Sequence, residues 1–216
     1  MANRLALPAL YVILDAALLP SDPAELTSQL LAAGVRLLQY RNKTAPAREV
    51  LETSQSLGVD AQQSGALFLV NDRPDIARLA GANGVHLGQD DVAASTARKI
   101  LGGDGIIGIS THNLKQFRAA IEMDADYIAV GPVFATGSKK NPDPVIGIEF
   151  IRKARALTDK PIVAIGGITL ERAPEVIAAG ANSVAVISDI LGAKNPAQRA
   201  KQFLEKLPVA ASAAGN

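Results

Sequence analysis

The apolar positions of the chain fall into eight short runs separated by amphipathic stretches. The runs are LYVIL (10–14), VRLLQY (35–40), LFLV (67–70), GVHL (84–87), IIGIS (106–110), DYIAVG (126–131), PIVAIG (161–166) and SVAVIS (183–188). Such brief, near-continuous apolar runs read as parallel strands covered on both faces. Between them, segments such as Pro23 to Ala33 and Leu114 to Met123 read as helices. Asp22 before Pro23 predicts an N-cap followed by proline at the first helical position. Gly34 and Gly180 stand where helices should end. Eight strand–helix units in succession predict an α/β fold, a single-domain TIM (β/α)₈ barrel. An open doubly wound sheet is the alternative, with fewer strands and one dominant glycine-rich turn. AAGVRLLQY, LAGANGVHLG and AAGANSVAVIS look alike and read as repeated helix-to-strand corners. The one long non-helical connection, Phe134 to Ile146, follows the sixth strand and is a candidate functional loop.

Residues 1–9 read as an N-terminal extension, 10–207 as the barrel, and 208–216, small and unpatterned, as a disordered tail. A chain of 216 residues suits one barrel, since such barrels start at about 200 residues. Aromatics make up only 4%, so the core must be built from Ala, Val, Ile and Leu. A net charge of +1 speaks against an electrostatically driven nucleic-acid binder. The absence of cysteine excludes disulfides, a thiolate nucleophile and Cys-bound zinc, and fits a reducing compartment; a cytoplasmic location is expected. No run of about 18 apolar residues occurs, so no membrane span is expected. The start, MANRLALPALYVIL, lacks a clear small-residue cleavage site and passes directly into the first strand, unlike a signal peptide.

In such a barrel the site lies at the C-terminal strand ends. Two of those ends are acidic: Asn71-Asp72-Arg73 closes the third strand and Gly88-Gln89-Asp90-Asp91 the fourth. Neighbouring strands lie about 4.8 Å apart, so Asp72 and Asp91 should project from one end of the sheet. Convergent carboxylates without a cysteine cluster suit Mg²⁺ and, through it, substrate phosphates. Arg41, Lys43 and Lys139 add the cations that would neutralise a pyrophosphate. Gly166-Gly167 and the backbone at Ile187-Ser188 occupy the usual barrel phosphate position, after strands seven and eight. Two anion sites result, and they point to two phosphorylated substrates.

Each element also has a plainer reading. Asp72 alone fits a helix cap and an ion pair, and one of Asp90 and Asp91 is expected to cap a helix. Gly166-Gly167 can be a simple turn, QYRNK a polar loop, and Lys139-Lys140 a solvated pair. His86 and His112 are expected to pack or to support other residues by hydrogen bonds. The plain readings weaken because all these residues fall at strand ends on one face.

QYRNK, NDR, GVHLGQDD, GISTH, GPVFATGSK, AIGGI and VAVIS, in that order, resemble the thiamine-phosphate synthase family from about Tyr11 to Leu191. The resemblance implies a TIM-barrel transferase, a homodimer and Mg²⁺. It implies a reaction joining 4-amino-2-methyl-5-hydroxymethylpyrimidine diphosphate to 4-methyl-5-(2-phosphooxyethyl)thiazole, giving thiamine phosphate and pyrophosphate. Carried over by position, Gln39, Tyr40, Arg41, Asn42, Lys43, Asn71, Ser110 and Lys139 would bind the pyrimidine diphosphate. Thr136, Gly137, Ser138, Gly167, Ile187 and Ser188 would bind the thiazole phosphate, and Asp72 and Asp91 the metal. Lys139, Arg41, Lys43 and Ser110 would be catalytic. The family commonly has Thr-x-Thr-Lys where this chain has Thr136-Gly137-Ser138-Lys139; serine keeps the hydroxyl, and Gly137 adds backbone freedom. Two rival readings stand beside this one. A thiazole tautomerase would share the barrel but would not need the diphosphate and metal set. A non-catalytic phosphate-binding barrel would act as a sensor.

Overall fold

A computed structural model describes residues 5–137 and 143–208. Eight parallel strands close into a barrel in sequence order. They are β1 (Leu10–Asp15), β2 (Leu37–Arg41), β3 (Leu67–Asn71), β4 (Gly84–Leu87), β5 (Ile106–Thr111), β6 (Tyr127–Val130), β7 (Ile162–Ile165) and β8 (Ser183–Val186). Helices α1 (Pro23–Ala32), α2 (Ala47–Gln63), α3 (Pro74–Leu79), α4 (Ala94–Leu101), α5 (Leu114–Ile121), α6 (Ile148–Arg155) and α7 (Ala173–Ala178) return the chain between strands. The short α8 (Ser188–Leu191) and α9 (Pro196–Lys206) follow β8. Every apolar run of the sequence supplies a strand. The eighth stops earlier than its apolar pattern because Ile187 turns the chain into α8.

The period of two in a strand divides the side chains between two cores. In β1, Tyr11 and Ile13 face the barrel interior while Leu10, Val12 and Leu14 pack under the helices. In β2, Leu37 lies in the inner core and Leu38 and Tyr40 in the outer one. Leu7 is buried in the inner core, and the Ala9 carbonyl accepts from Val184 N at 2.9 Å. Residues 5–9 are therefore tied to the barrel floor.

Local signals act as their chemistry dictates. The Asp22 carboxylate accepts from Ala24 N at 2.9 Å and Glu25 N at 3.2 Å at the start of α1. Gly34 and Gly180, just past α1 and α7, adopt positive φ. The connection after β6 is pinned at both described ends: Phe134 N donates to Gly166 O at 3.0 Å and Ile146 N to Pro132 O at 2.9 Å. Among the described residues, no helix is long and apolar enough to cross a membrane.

Candidate active site

The C-terminal strand ends surround a cavity of about 440 Å³ to which all eight strands or the loops after them contribute. Its floor is a hydrogen-bonded relay across the barrel. Gln39 Nε2 donates to Tyr11 Oη at 2.5 Å, and the Tyr11 and Tyr127 hydroxyls lie 3.3 Å apart. The Tyr127 hydroxyl lies 2.8 Å from His86 Nδ1, and His86 Nε2 lies 2.8 Å from Ser110 Oγ. The His86 ring stacks on Tyr127 with centroids 5.6 Å apart. Burial pushes both tyrosine hydroxyls up from their ordinary value, so they stay neutral. His86 therefore supports Ser110 through a fixed ring, the supporting role expected of it. His112 does the same at the rim. The Gly131 carbonyl can only accept, so His112 Nδ1, 2.7 Å away, carries the proton, and Nε2 faces Asp143 at 3.6 Å.

One wall carries the charges. Arg41 is held by the buried Asp15 at the end of β1. Lys43 Nζ lies 3.0 Å from Asp72 Oδ2. Asp72 has φ of 62°, the one positive φ of a non-glycine residue among those described, and its N–H donates to His86 O at 2.8 Å. Aspartate tolerates this left-handed region better than most residues. The turn also sends Arg73 outward, where it forms a double hydrogen bond with Asp75.

Asp91 accepts from Gly88 N at 2.7 Å. Burial raises its carboxyl from the ordinary value; the Asp72 carboxylate pushes the same way, while the Gly88 N–H and Lys43 pull against them. The helix-cap readings fail here. The residues before α3 and α4 are Arg73 and Ala93, neither with a capping side-chain bond, because Asp72 and Asp91 turn into the cavity instead. No cluster of three or more metal-binding side chains exists among the described residues. Two carboxylates lining one cavity fit an ion that keeps waters and takes phosphate oxygens as its remaining ligands, which is the habit of Mg²⁺.

The opposite wall is built from backbone. Gly166 and Gly167 have φ of 100° and 62°. A Cβ on Gly167 would stand 2.3 Å from Ala135 O and 2.9 Å from Phe134 Cβ. Both glycine carbonyls are engaged outside the cavity, Gly166 O by Phe134 N and Gly167 O by Arg172 Nη1 at 2.9 Å. Among the described residues, the Gly167 and Ile168 amides donate to no protein acceptor, and both residues line the cavity. Ile187 and Ser188, at the start of α8, border the same space. The Asp189 carboxylate accepts from Leu170 N at 3.1 Å and from Arg199 at 2.9 and 3.0 Å, which joins the two loops.

Gln39, Arg41, Lys43, Asn71, Asp72, Asp91, Ser110, Thr136, Gly167, Ile187 and Ser188 are thus brought together around one cavity. Tyr40 and Asn42 are not. Alternation along β2 turns Tyr40 under the helices, where its hydroxyl accepts from Asn42 Nδ2 at 3.1 Å. The Asn42 side-chain oxygen Oδ1 accepts from Thr44 N and Ala45 N at 3.1 and 3.0 Å, so this residue shapes its own loop. Gly137 is exposed and does not line the cavity. Ser138 and Lys139 lie outside the described residues.

The profile of the family described as thiamine monophosphate synthase matches residues 10–190. The chain belongs to the thiamine monophosphate synthase family. A thiamine-phosphate synthase of Koribacter versatilis (strain Ellin345) is 49% identical over 96% of this chain and 99% of its own length. One from Agrobacterium fabrum (strain C58 / ATCC 33970) is 43% identical over 94% of this chain and 96% of its own. The solved thiamine phosphate pyrophosphorylase from Pyrococcus furiosus superposes with a TM-score of 0.83 at 36% identity, covering 91% of this chain and 93% of that one. Membership of the thiamine monophosphate synthase family makes the chain a transferase. Sequence reading missed Tyr11, Asp15, Gln116 and Asp143 among the residues lining it. Asp15 carried a signal, as the polar end of the first strand; Tyr11 carried none, being an aromatic inside an apolar run.

Proposed function

We propose that the chain joins 4-amino-2-methyl-5-hydroxymethylpyrimidine diphosphate to 4-methyl-5-(2-phosphooxyethyl)thiazole, releasing pyrophosphate and leaving thiamine phosphate. One observation carries the reading: a wall of Arg41, Lys43, Asp72 and Asp91 shares a single cavity with a cup of amides at Gly167 and Ile168 that, among the described residues, donate to no protein acceptor. The first suits a diphosphate and the second a phosphate monoester.

In this reading Arg41, aimed by Asp15, and Lys43 hold the diphosphate. Asn71 and Ser110 contact the pyrimidine substrate. Gln39 and Ser110, fixed by the floor relay, orient the ring so that its exocyclic methylene faces the thiazole nitrogen. Mg²⁺ held by Asp72 and Asp91 would neutralise charge on the leaving oxygens as a Lewis acid. The amino-pyrimidine ring can donate electrons to the methylene carbon, so ionisation before attack by the thiazole nitrogen is favoured. No protein nucleophile is needed. The surrounding residues exclude water from the cationic carbon. A homodimer and a cytoplasmic setting are proposed with it, on the family resemblance.

The deciding experiment is product analysis with both substrates, with and without Mg²⁺. Thiamine phosphate and pyrophosphate should form only when all three are present. Isomerisation of a thiazole substrate alone would point to a tautomerase, and binding without turnover to a sensor.

Separate walls make a further expectation. Arg41→Ala should raise KM for the pyrimidine diphosphate by about 10–100-fold, the worth of a hydrogen bond to a charged group. It should leave the thiazole phosphate within about twofold, as independent sites do. Gly167→Val should show the opposite selectivity, because its side chain displaces the loop that carries Thr136. Gly167→Ala should follow it more weakly. Equal effects on both substrates would contradict two separate anion sites.

A further inference from the structure

We propose that Arg172 is a positioning residue that straps the loop after β6 onto the glycine turn after β7 and thereby fixes the phosphate cup. This inference rests on the reading of that cup as the site of the thiazole phosphate. Arg172 is exposed and does not line the cavity. Its guanidinium does two things at once. The central carbon sits 4.5 Å from the centroid of the Phe134 ring, and Nη1 donates to the Gly167 carbonyl at 2.9 Å. Among the described residues no carboxylate forms an ion pair with it, so both contacts serve loop geometry rather than charge balance.

The two loops are already zipped at their base. Val133 N donates to Ile165 O at 2.9 Å and Phe134 N to Gly166 O at 3.0 Å, which prolongs the β6–β7 pairing by two bonds. Beyond that point Gly167 has no side chain, and Phe134 and Ala135 fill the space a Cβ would take. Arg172 closes the arrangement from the solvent side. It presses Phe134 down onto the glycine and holds the Gly167 carbonyl away from the cavity. The carbonyl of Gly167 and the N–H of Ile168 belong to one planar peptide unit. A cationic donor on the oxygen polarises that unit and strengthens the amide as a donor to an anion. The strap thus acts on the cup in two ways, by orientation and by polarisation. Lysine cannot do both, because the planar fork of arginine stacks and donates at the same time.

The test measures inorganic phosphate binding by titration calorimetry, alongside KM for each substrate, kcat and Tm. Arg172→Ala should weaken phosphate binding about tenfold and raise KM for the thiazole phosphate in parallel. The pyrimidine diphosphate KM and kcat at saturation should stay within about twofold. Tm should hardly move, because surface substitutions are near neutral. Phe134→Leu should give a smaller effect in the same direction, and the double variant should be no worse than Arg172→Ala. Arg172→Lys should recover only part of the loss. Full recovery by lysine would show that charge alone matters and would overturn the strap. So would an unchanged Arg172→Ala, or equal losses for both substrates with a fall in Tm. If the unaltered chain binds phosphate but makes no thiamine phosphate, the proposed function fails while phosphate binding still judges the strap. If it binds no phosphate, the strap has no ligand to serve and is overturned too.

Discussion

Asp72→Asn and Asp91→Asn are each expected to lower turnover by about 10²–10³-fold, the range seen when one preorganised electrostatic contact at developing charge is lost. The fold should survive both changes. Asparagine is nearly isosteric with aspartate and also tolerates the left-handed conformation at position 72. Each substitution removes one member of a like-charged pair, so Tm should hold or rise slightly. High Mg²⁺ should restore part of the activity, because a site with one carboxylate binds the ion more weakly rather than not at all. The measurement is initial rate against Mg²⁺ concentration for the unaltered chain and each variant. Full activity in EDTA, or in the double variant, would reject a metal-dependent reaction.

Lys139→Ala is expected to lower kcat about 10²–10³-fold, more than it raises KM for either substrate. Lys139 lies outside the described residues, so the expectation comes from the resemblance of GPVFATGSK to the family. A cation that meets charge only as pyrophosphate departs contributes to the transition state and not to the ground state, which is the signature of a kcat effect. Lys140→Ala, one residue on, serves as the internal control and should be near neutral. A crippled Lys140→Ala beside a mild Lys139→Ala would show that the alignment of this loop is out of register, and the assignments of Thr136 and Ser138 would go with it.

The barrel was legible because parallel strands covered on both faces leave apolar runs that need no partner to be recognised. The charged wall was legible for a related reason: the polar residue closing each run lands at one rim of the barrel. What stayed hidden depends on contacts between distant strands. Gln39, Tyr11, Tyr127, His86 and Ser110 come from five strands, and nothing in their spacing says that they bond in sequence. Tyr40 and Asn42 fall outside the cavity lining for a different reason. Alternate members of QYRNK, which runs from the end of β2 into the loop after it, face opposite sides, so the motif is not one patch. The acidic pair after β4 suggested a helix cap, but α4 starts two residues too late for Asp91 to serve it.

The backbone at Asp72 has a bearing on engineering. A search for thermostable variants rewards relief of unfavourable backbone geometry, and glycine adopts positive φ without the steric cost aspartate bears there. Position 72 is therefore a place where selection for heat resistance alone would favour Asp72→Gly. The same change would remove a carboxylate from the rim and release Lys43 from its partner. Libraries screened only by melting should accumulate inactive barrels at this position, and a parallel selection for turnover is needed to keep the residue in place.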